Sequence, residues 1–499
     1  MNLMMLLEMA AQGFGPRVAV QNGADQLTYQ ELFDAAGAAA EEIRASGVKH
    51  VALLDESSLA VPVALFASAW VGVPFVPLNY RLTGDELDAL LARVEPAFLV
   101  TAAERTSAMK GRASVVRSRE ELLAGTRAGA QPEPSWGMDP DEISILLFTS
   151  GTTGAPKAAV LRHHHLVSYI LGSVEFGAAA EEDAVLVSVP PYHIAGVASV
   201  LSSLYSGRRI VQLPAFTAET WLRVARSEAV TNAFVVPTML SRIVDALEDT
   251  AGADLPALRA LSYGGGKMPL PVIERAMELF PDTSFTNAYG LTETSSTVTL
   301  LGPEDHRGAA ESDDAAVKHR LVSVGRALPS VEIEIRDDEG QSVPTGERGE
   351  IHVRGEQVSG EYLGRETVLT PDGWFPTRDG GWLDEEGYLF LEGRVDDVIV
   401  RGGENMSPGE IEDVLLEHAD VRDAAVVGVP DEEWGEAVAA AVVLRSGASA
   451  TESELQEWVK RHLRSSRVPS HIAFRDELPY NETGKLLRRV VRSELSEAV

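Results

Sequence analysis

A run rich in glycine and hydroxyl groups, TSGTTGAPK at residues 149–157, directly follows the apolar segment ISILLF. Glycine lets the backbone approach a phosphate closely, and neighbouring N–H and hydroxyl groups can contact the phosphate oxygens. The run therefore predicts a phosphate-binding loop. Its candidate ligands are Thr149, Ser150, Gly151, Thr152, Thr153, Gly154 and Lys157. It is not a Walker A loop, because two residues separate Gly154 from Lys157 and Ala158 stands where that loop needs a hydroxyl.

This loop resembles the signature loop of the adenylate-forming superfamily, which includes acyl- and aryl-CoA ligases, firefly-type luciferases and peptide-synthetase adenylation domains. Further segments match the family in its order along the chain. They are PPYHIAG (190–196), YGGGKMP (263–269), YGLTETSS (289–296), TRD (377–379), GRVDDVIVRGGENMSPGEIE (393–412) and PYNETGK (479–485). The matches extend from residue 149 to residue 485, so the resemblance covers most of the chain. It implies activation of a carboxylic acid by ATP.

Residue types at the matching positions suit a bound ATP and its Mg²⁺. Thr292 can contact an α-phosphate oxygen, and Glu293 offers the hard oxygen ligand that Mg²⁺ prefers. The resemblance assigns Asp379 to the ribose hydroxyls and Arg394 to ribose or phosphate oxygens. Adenine can lie flat against glycine backbone, which has no side chains. The remaining nucleotide-binding candidates are Gly264, Gly265, Gly266, Tyr289 and Gly290.

Lys485 is the predicted catalytic residue for adenylate formation. As a carboxylate attacks the α-phosphorus, negative charge grows on the phosphoryl oxygens, and an ammonium stabilises that transition state more than the ground state. Lys485 and the phosphate-binding loop lie in different predicted domains, so domain closure is expected. The resemblance implies a hinge at Asp396 that later withdraws Lys485. The same rotation would bring Gly402 and Gly403 to the site as a narrow wall for a pantetheine arm.

On the acid side, His193 in PPYHIAG corresponds to the family's aromatic gate beside the acyl carboxylate. The predicted acid-binding residues are Tyr192, His193, Gly265, Ala288 and Ser295. The resemblance also places Arg81 and Trp434 at the nucleotide of CoA. Three consecutive histidines at 163–165 invite a metal-site interpretation, but adjacent residues of a helix point in different directions. Since no second ligand cluster is visible, we predict no metal there.

Apolar segments of strand type alternate with helical patterns in the first two-thirds of the chain, which predicts an α/β fold with a helix-covered parallel sheet. The strand candidates are residues 51–54, 97–100, 143–148, 184–189, 233–236 and 260–263. From about residue 324, alternating strands and turns predict a distorted antiparallel β subdomain. Helix candidates at 408–418 and 452–463 with strand candidates at 424–429 and 437–444 predict a small mobile α+β domain. We expect a large domain at 1–393 and this small lid at 394–499.

Composition restricts the partners and the location. The 499 residues contain 43 Lys and Arg against 75 Asp and Glu, and the net charge of -32 would repel nucleic acid. An uncharged run between Glu56 and Arg81 is interrupted by prolines and a glycine, so it predicts a buried helix and strand, with no membrane span. MNLMMLLEMA has no basic residue at its start, so we predict no signal peptide and a cytoplasmic protein. A homodimer is left open.

Together these features predict an acyl-CoA synthetase that forms an acyl-AMP and then an acyl-CoA, using ATP, Mg²⁺ and coenzyme A. Because there is no cysteine, the attacking thiol must come from another molecule. Candidate walls of the acid cavity are small or apolar, which favours an aryl, alicyclic or medium-chain acid. These walls are Val235, Val236, Met239, Gly265, Ala288, Ser295 and Ser296. Other acceptors remain open: a carrier-protein pantetheine or an aryl amine diazotised with ATP. An oxidation of luciferase type would need substrate-specific features that the sequence does not show. An α-amino acid is disfavoured because PPYHIAG lacks an aspartate, and a non-catalytic scaffold because the key residues are intact.

Overall fold

The computed structural model describes residues 1–128, 135–149, 156–431, 433–481 and 484–498. Helices and strands alternate from its first residues. The elements up to residue 162 are α1 (Met4–Phe14), β1 (Val18–Asn22), β2 (Asp25–Thr28), α2 (Tyr29–Ser46), β3 (His50–Leu54), α3 (Ala60–Val71), β4 (Phe75–Pro77), α4 (Gly84–Val94), β5 (Ala97–Thr101), α5 (Ala103–Met109), β6 (Val115–Ser118), α6 (Arg119–Ala128), β7 (Ile143–Thr149) and β8 (Lys157–Arg162).

The alternation continues through the middle of the chain. Its elements are α7 (His163–Ser173), β9 (Ala184–Val187), α8 (Ile194–Ser206), β10 (Arg209–Gln212), α9 (Ala218–Ser227), β11 (Asn232–Val235), α10 (Pro237–Ala246), β12 (Ala260–Gly264), α11 (Leu270–Leu279), β13 (Ser284–Leu291), β14 (Ser296–Leu301), α12 (Pro303–Glu311), α13 (Ala315–His319) and β15 (Arg326–Ala327).

The last third is richer in strands. Its elements are β16 (Val331–Arg336), β17 (Gly349–Gly355), β18 (Phe375–Leu383), β19 (Leu389–Arg394), β20 (Ile399–Arg401), β21 (Glu404–Met406), α14 (Pro408–Leu416), β22 (Val421–Asp431), β23 (Gly435–Leu444), α15 (Glu452–His462), β24 (His471–Phe474) and α16 (Arg488–Ala498).

Two mainly parallel sheets form the large part of the molecule. One has six strands in the order β6-β5-β3-β4-β7-β8, and the other has nine in the order β15-β14-β13-β12-β11-β9-β10-β1-β2. All six predicted parallel-sheet strands are found in these sheets, with ends within two residues of the prediction. Antiparallel neighbours occur only towards the edges of each described sheet, as in the β7–β8 and β13–β14 pairs. The predicted α/β class is confirmed.

Helix α3 explains the uncharged run of the sequence. Its residues are buried from Ala60 to Trp70, and the helix packs against α1, α2 and the strands β3 and β4. A helix that is apolar on every side suits such a position inside a protein. No helix among the described residues combines the length and the hydropathy needed to cross a bilayer.

The antiparallel subdomain and the C-terminal α+β unit are both present. Strands β16 to β19 form a four-stranded antiparallel sheet, as the alternating pattern predicted. Beyond it, the sheet β22-β23-β24 is covered on one face by α14 and α15 and on the other by α16. A short 3-10 turn, Val395–Asp397, joins the two regions. The domain boundary near Asp396 stays a prediction.

Candidate active site

A central cavity of about 630 Å³ lies between helix α8 and the carboxyl ends of strands β9, β11, β12 and β13. Ligands of parallel α/β sheets bind at that edge, because the loops that follow the strands converge there. Eight of the predicted residues line it: His193, Val236, Gly264, Gly265, Ala288, Gly290, Thr292 and Ser296. Val235, Met239, Tyr192 and Ser295 are buried but are not part of the lining.

His193 is the residue directly before α8, and it lines this cavity. Burial lowers its pKa to about 4, so the imidazole is neutral at ordinary pH. Its ring lies 4.5 Å from the ring of Tyr192, which in turn makes an edge contact with Tyr80 at 5.5 Å. A neutral ring backed by aromatic rings is a rigid, uncharged surface, which can lie beside a carboxylate without pairing with it.

Asp379 and Arg394 face each other across strands β18 and β19. They occupy paired register positions, and Arg394 Nη1 lies 2.9 Å from Asp379 Oδ1. Tyr289 at the end of β13 donates its hydroxyl to Asp379 Oδ2 at 2.8 Å. Arg394 Nε is buried and has no hydrogen-bond partner among the described residues. The three residues predicted to hold the nucleotide are therefore contiguous, with a donor still available to a ligand.

Glu293 and Lys157 meet through a tyrosine that the sequence analysis missed. Tyr362 donates its hydroxyl to Glu293 Oε1 at 2.6 Å, and Lys157 Nζ lies 5.4 Å from the centre of the Tyr362 ring. Lys157 pairs with Thr149 where strands β7 and β8 face each other. The predicted ligands between them, Ser150, Gly151, Thr152, Thr153 and Gly154, lie outside the described residues. The signal for Tyr362 was an aromatic residue in the short glycine-flanked segment GEYLG.

A second missed residue, Gln357, fixes the turn that carries Glu293. Its amide donates to Thr294 O at 2.9 Å and to Thr297 O at 2.8 Å, and it is fully buried. This turn therefore has little freedom to move the carboxylate. Its signal in the sequence was weak, because an isolated glutamine in a loop has no distinctive spacing.

Lys485 lies on a turn that reaches the wall of the central cavity. A Cβ added to Gly484 would stand 3.2 Å from Val236 Cγ2 and also against the Thr238 hydroxyl, so the backbone contacts α10 directly. The turn is closed by Asn481, whose Oδ1 accepts the Lys485 amide at 2.8 Å. Lys485 itself is exposed, and its charge helps to hold down the pKa of Asp397, which burial raises.

Lys267 joins the C-terminal unit to the large part of the molecule. Its ammonium lies 2.5 Å from Asp413 Oδ1 and 3.3 Å from Gly409 O, both on α14. Burial raises the pKa of Asp413, and the Lys267 charge opposes that rise. At the predicted hinge, Arg378 Nη2 lies 2.5 Å from Asp396 Oδ1. Because these ion pairs are partly exposed to solvent, each contributes little to stability, which is compatible with the predicted movement of the lid.

The Lys485 turn is anchored on both sides within the C-terminal unit. Tyr480 donates to the Asp423 carboxylate, with its hydroxyl 3.0 Å from each oxygen. On the other side, Arg488 binds the buried Glu412 through two nitrogens, with Nη2 2.7 Å from Oε2. The Arg488 charge keeps the pKa of Glu412 low in spite of full burial. The turn thus moves with the unit as one body.

We expect Asp423 to give the protein a pH-dependent stability. Burial raises its pKa from 3.8 to about 6. A carboxyl with a raised folded pKa stabilises the fold below its unfolded pKa, and this contribution is lost as the pH rises through the folded value. The loss is about 3 kcal/mol for a shift of this size. In urea unfolding across about pH 4 to 7, the free energy of unfolding of Asp423→Asn should rise relative to that of the wild type as the pH rises. The exposed Asp338→Asn should show no such trend, and a constant difference for Asp423→Asn would contradict the assignment.

The residues predicted to contact CoA do not line the central cavity. Gly402 donates its amide to Trp434 O at 2.8 Å, and the Arg401 guanidinium lies 5.5 Å from the Trp434 ring centre. Trp434 is 46% exposed. Arg81 lies elsewhere, 5.7 Å from the ring of Tyr80. In this orientation of the C-terminal unit the Lys485 turn adjoins the cavity, while Gly402, Gly403 and Trp434 form a separate surface.

The three histidines at the start of α7 have structural partners. His163 Nδ1 accepts the Leu3 amide at 3.3 Å, which ties the N-terminal helix to α7. His165 Nδ1 accepts the Arg162 amide at 3.1 Å, and burial lowers its pKa to about 3. Among the residues that the structure describes, no group of three or more histidine or carboxylate side chains is placed to hold a metal.

The chemistry of the site suits ATP with Mg²⁺. Mg²⁺ is commonly held by one or two carboxylates and by substrate phosphates, and Glu293 supplies one such carboxylate. Asp379 supplies acceptors, Arg394 supplies a donor without a partner, and the side-chain-free strand end at Gly264 and Gly265 lines the cavity. The residues present therefore fit a nucleotide and one Mg²⁺ bound mainly through phosphates.

Comparison with known families settles the relationship. The model of the AMP-binding enzyme family matches residues 7–363, and that of the AMP-binding enzyme C-terminal domain matches residues 410–485. The chain belongs to the AMP-binding enzyme family. The first model covers the phosphate-binding loop, His193 and Glu293, and the second covers Trp434 and Lys485, whereas Asp379, Arg394 and Asp396 lie between the two matches.

Relatives of this AMP-binding enzyme match it along its whole length. It is 34% identical over 482 residues to feruloyl-CoA synthase from an Amycolatopsis species, covering 95% of each chain. The o-succinylbenzoate CoA synthetase of Bacillus subtilis, solved with its acyl-adenylate intermediate, has a TM-score of 0.85 at 31% identity, covering 98% of this chain and 97% of that one. The same enzyme is solved with ATP and a magnesium ion. ATP-bound MatB from Rhodopseudomonas palustris has a TM-score of 0.88 at 27% identity over the full length of both chains.

Proposed function

We propose that this AMP-binding enzyme is an AMP-forming acid–thiol ligase that joins an aryl carboxylic acid to CoA. In the first step the acid carboxylate attacks the α-phosphorus of ATP, the bond to the leaving pyrophosphate breaks, and an acyl-AMP forms. In the second step the CoA thiol attacks the acyl carbon and expels AMP. The observation that carries the proposal is the contact of Gly484 with Thr238 of α10 and with Val236, which lines the same cavity as Thr292 and the glycines of β12.

Each residue has a part in the first step. Lys485 would stabilise the negative charge that grows on the phosphoryl oxygens as the carboxylate attacks. Glu293, held by Tyr362, would hold Mg²⁺, while Asp379 and Arg394 would orient the ribose. His193, neutral through burial, would border the carboxylate without forming an ion pair that stabilises the ground state. The C-terminal unit would then rotate about Asp396 and place Gly402 and Gly403 along the pantetheine arm.

The aryl class is supported by the relatives and by the cavity. Two relatives at 31% and 34% identity are named for aryl acids, feruloyl and o-succinylbenzoyl. Near His193 the cavity is lined by small or apolar residues, among them Ala195, Ala198 and Val236, which suit a flat ring. Cytoplasmic location and homodimer formation stay predictions.

An ATP–pyrophosphate exchange assay with a panel of aryl, alicyclic and linear acids tests this function. We expect exchange with aryl acids, and acyl-CoA detectable by mass spectrometry once CoA is added. Exchange without acyl-CoA would point to a different acceptor, and so contradict the second step. Failure of every acid to support exchange would remove the function as a whole.

A further inference from the structure

The central cavity extends along the whole length of helix α8, from His193 before its first residue to Arg208 after its last. A helix of 13 residues is about 20 Å long. The cavity is therefore longer than an acid's carboxyl end needs, and its far end must accommodate the other end of the substrate. What lies at this far end is informative about the acid.

The wall of the cavity changes character along this helix. Near His193 the lining residues of α8 are Ala195 and Ala198, whereas the later turns present Ser199, Ser202 and Ser206. Spacings of three and four residues place these side chains on one face of the helix. All three hydroxyls donate to carbonyls within the helix, so they leave only acceptor positions for a ligand. A wall that changes from apolar to polar favours a substrate that is apolar near its activated carboxyl and polar at its other end.

Arg208 closes the polar end with a positive charge that has no counter-charge. Its guanidinium makes no hydrogen bond or ion pair with the residues that the structure describes, and its Nε is buried and without a partner. Burial lowers the pKa of Arg208, although a guanidinium stays charged in proteins. The one acidic residue in the described lining, Glu175, is exposed, so water screens its charge.

The backbone holds Arg208 in place. Gly207 ends α8 with a positive φ of 82°, and the Arg208 amide donates to Ser203 O at 2.9 Å. Tyr29 donates its hydroxyl to Arg208 O at 3.0 Å. The next residue is a contrast, because Arg209 is fully paired with Glu228 and Gln21 on the other side of the strand. Arg209 thus has partners within the protein, whereas Arg208 lines the cavity without one among the described residues.

We propose that Arg208 binds a second anionic group, of carboxylate type, at the end of the acid remote from the carboxyl that is activated. The inference rests on the proposed function, since it names the substrate class of the same cavity. A guanidinium binds a carboxylate through two parallel hydrogen bonds, which supplies both the missing counter-charge and a fixed orientation. The acid therefore carries two anionic ends and is activated at only one.

Matched pairs of acids test this inference. Each pair has the same carbon skeleton and ends either in a carboxylate or in a methyl group, and the series covers linear chains and para-substituted aryl acids. For the wild type, we expect a higher kcat/KM for the carboxylate member of at least one pair. We expect this difference to come from a lower KM. In Arg208→Gln that preference should fall about 10- to 100-fold, as expected for losing charged hydrogen bonds. The preference of Arg208→Lys should lie between those of the wild type and Arg208→Gln, because lysine keeps the positive charge but lacks the planar guanidinium that forms two parallel hydrogen bonds.

Arg209→Gln is the matched control, since it removes one positive charge at the adjacent position that does not line the cavity. Its preference ratio should equal that of the wild type. The preference ratio compares two acids with the same enzyme preparation. A partial loss of folded enzyme therefore lowers both rates equally and leaves the ratio unchanged. If the wild type turns over acids without preferring the carboxylate member, or if Arg208→Gln keeps the preference, the inference fails while the ligase function stands. If no acid of either kind is activated, the proposed function itself fails.

Discussion

Lys485→Ala is expected to reduce ATP–pyrophosphate exchange by about 10²- to 10³-fold, the loss seen when one group that stabilises a developing negative charge is removed. The turn that carries Lys485 contacts Val236 of the cavity wall through Gly484, and the proposed function places the ammonium beside the reacting phosphate from there. Conversion of a supplied acyl-AMP and CoA to acyl-CoA should stay within a few-fold of the wild type, because that step does not use the phosphoryl charge.

The two half-reactions distinguish a catalytic loss from a structural one. Arg489→Ala removes a neighbouring exposed charge from the same unit and should leave both rates near the wild-type values. A variant that simply folds badly would lose both half-reactions together. Equal losses in exchange and in thioester formation for Lys485→Ala would therefore remove the assigned role.

Gly403→Leu should have the opposite effect, sparing exchange and lowering thioester formation from acyl-AMP by about 10²-fold, since a small misplacement of reacting groups has a cost of this order. In the present orientation a Cβ at Gly403 meets nothing within 4 Å, so the adenylate-forming arrangement tolerates the side chain. After the proposed rotation, the same side chain would stand where the pantetheine arm passes.

Backbone strain needs its own control. Gly403 has a positive φ of 83°, which a leucine adopts at a cost of about 1 to 2 kcal/mol. Gly447 has a φ of 79°, also with open space around its Cβ, and it lies in the same unit in the turn between β23 and α15. Gly447→Leu therefore carries the same strain away from the site. If the two leucine variants lose thioester formation equally, or if Gly403→Leu is unimpaired, the channel assignment fails.

Much of the candidate nucleotide site could be proposed from the sequence because its residues lie in short motifs. Residues such as Thr292 and Glu293 are adjacent in the chain, so their types and order are visible without a fold. The strands were equally accessible, since an apolar run such as that of β5 has the length and flanking turns of a buried strand. The structure added the partners of the motif residues. Examples are Tyr362, which donates a hydrogen bond to Glu293, and Asp413 of α14, which pairs with Lys267.

Those partners were not predictable, because each is contributed by a distant segment with no spacing of its own. Tyr362 lies 69 residues from Glu293. Tyr480 is five residues before the predicted lysine, but its partner Asp423 lies 57 residues away. Such pairs depend on how the sheets and helices pack, which local periodicity does not record.

The sequence by itself determined the fold class, the family resemblance and the kinds of residue proposed to hold the nucleotide. Only the tertiary structure decided which residues form the cavity, and that the turn of Lys485, rather than Gly402 and Gly403, adjoins it in this orientation. It also decided that Arg208 lines the cavity unpaired while Arg209 is paired elsewhere. Two adjacent arginines look identical in a sequence. Their roles differ because Arg208 follows the end of α8 and lines the cavity, whereas Arg209 begins β10 and pairs with Glu228. Burial makes the missing counter-charge of Arg208 energetically significant.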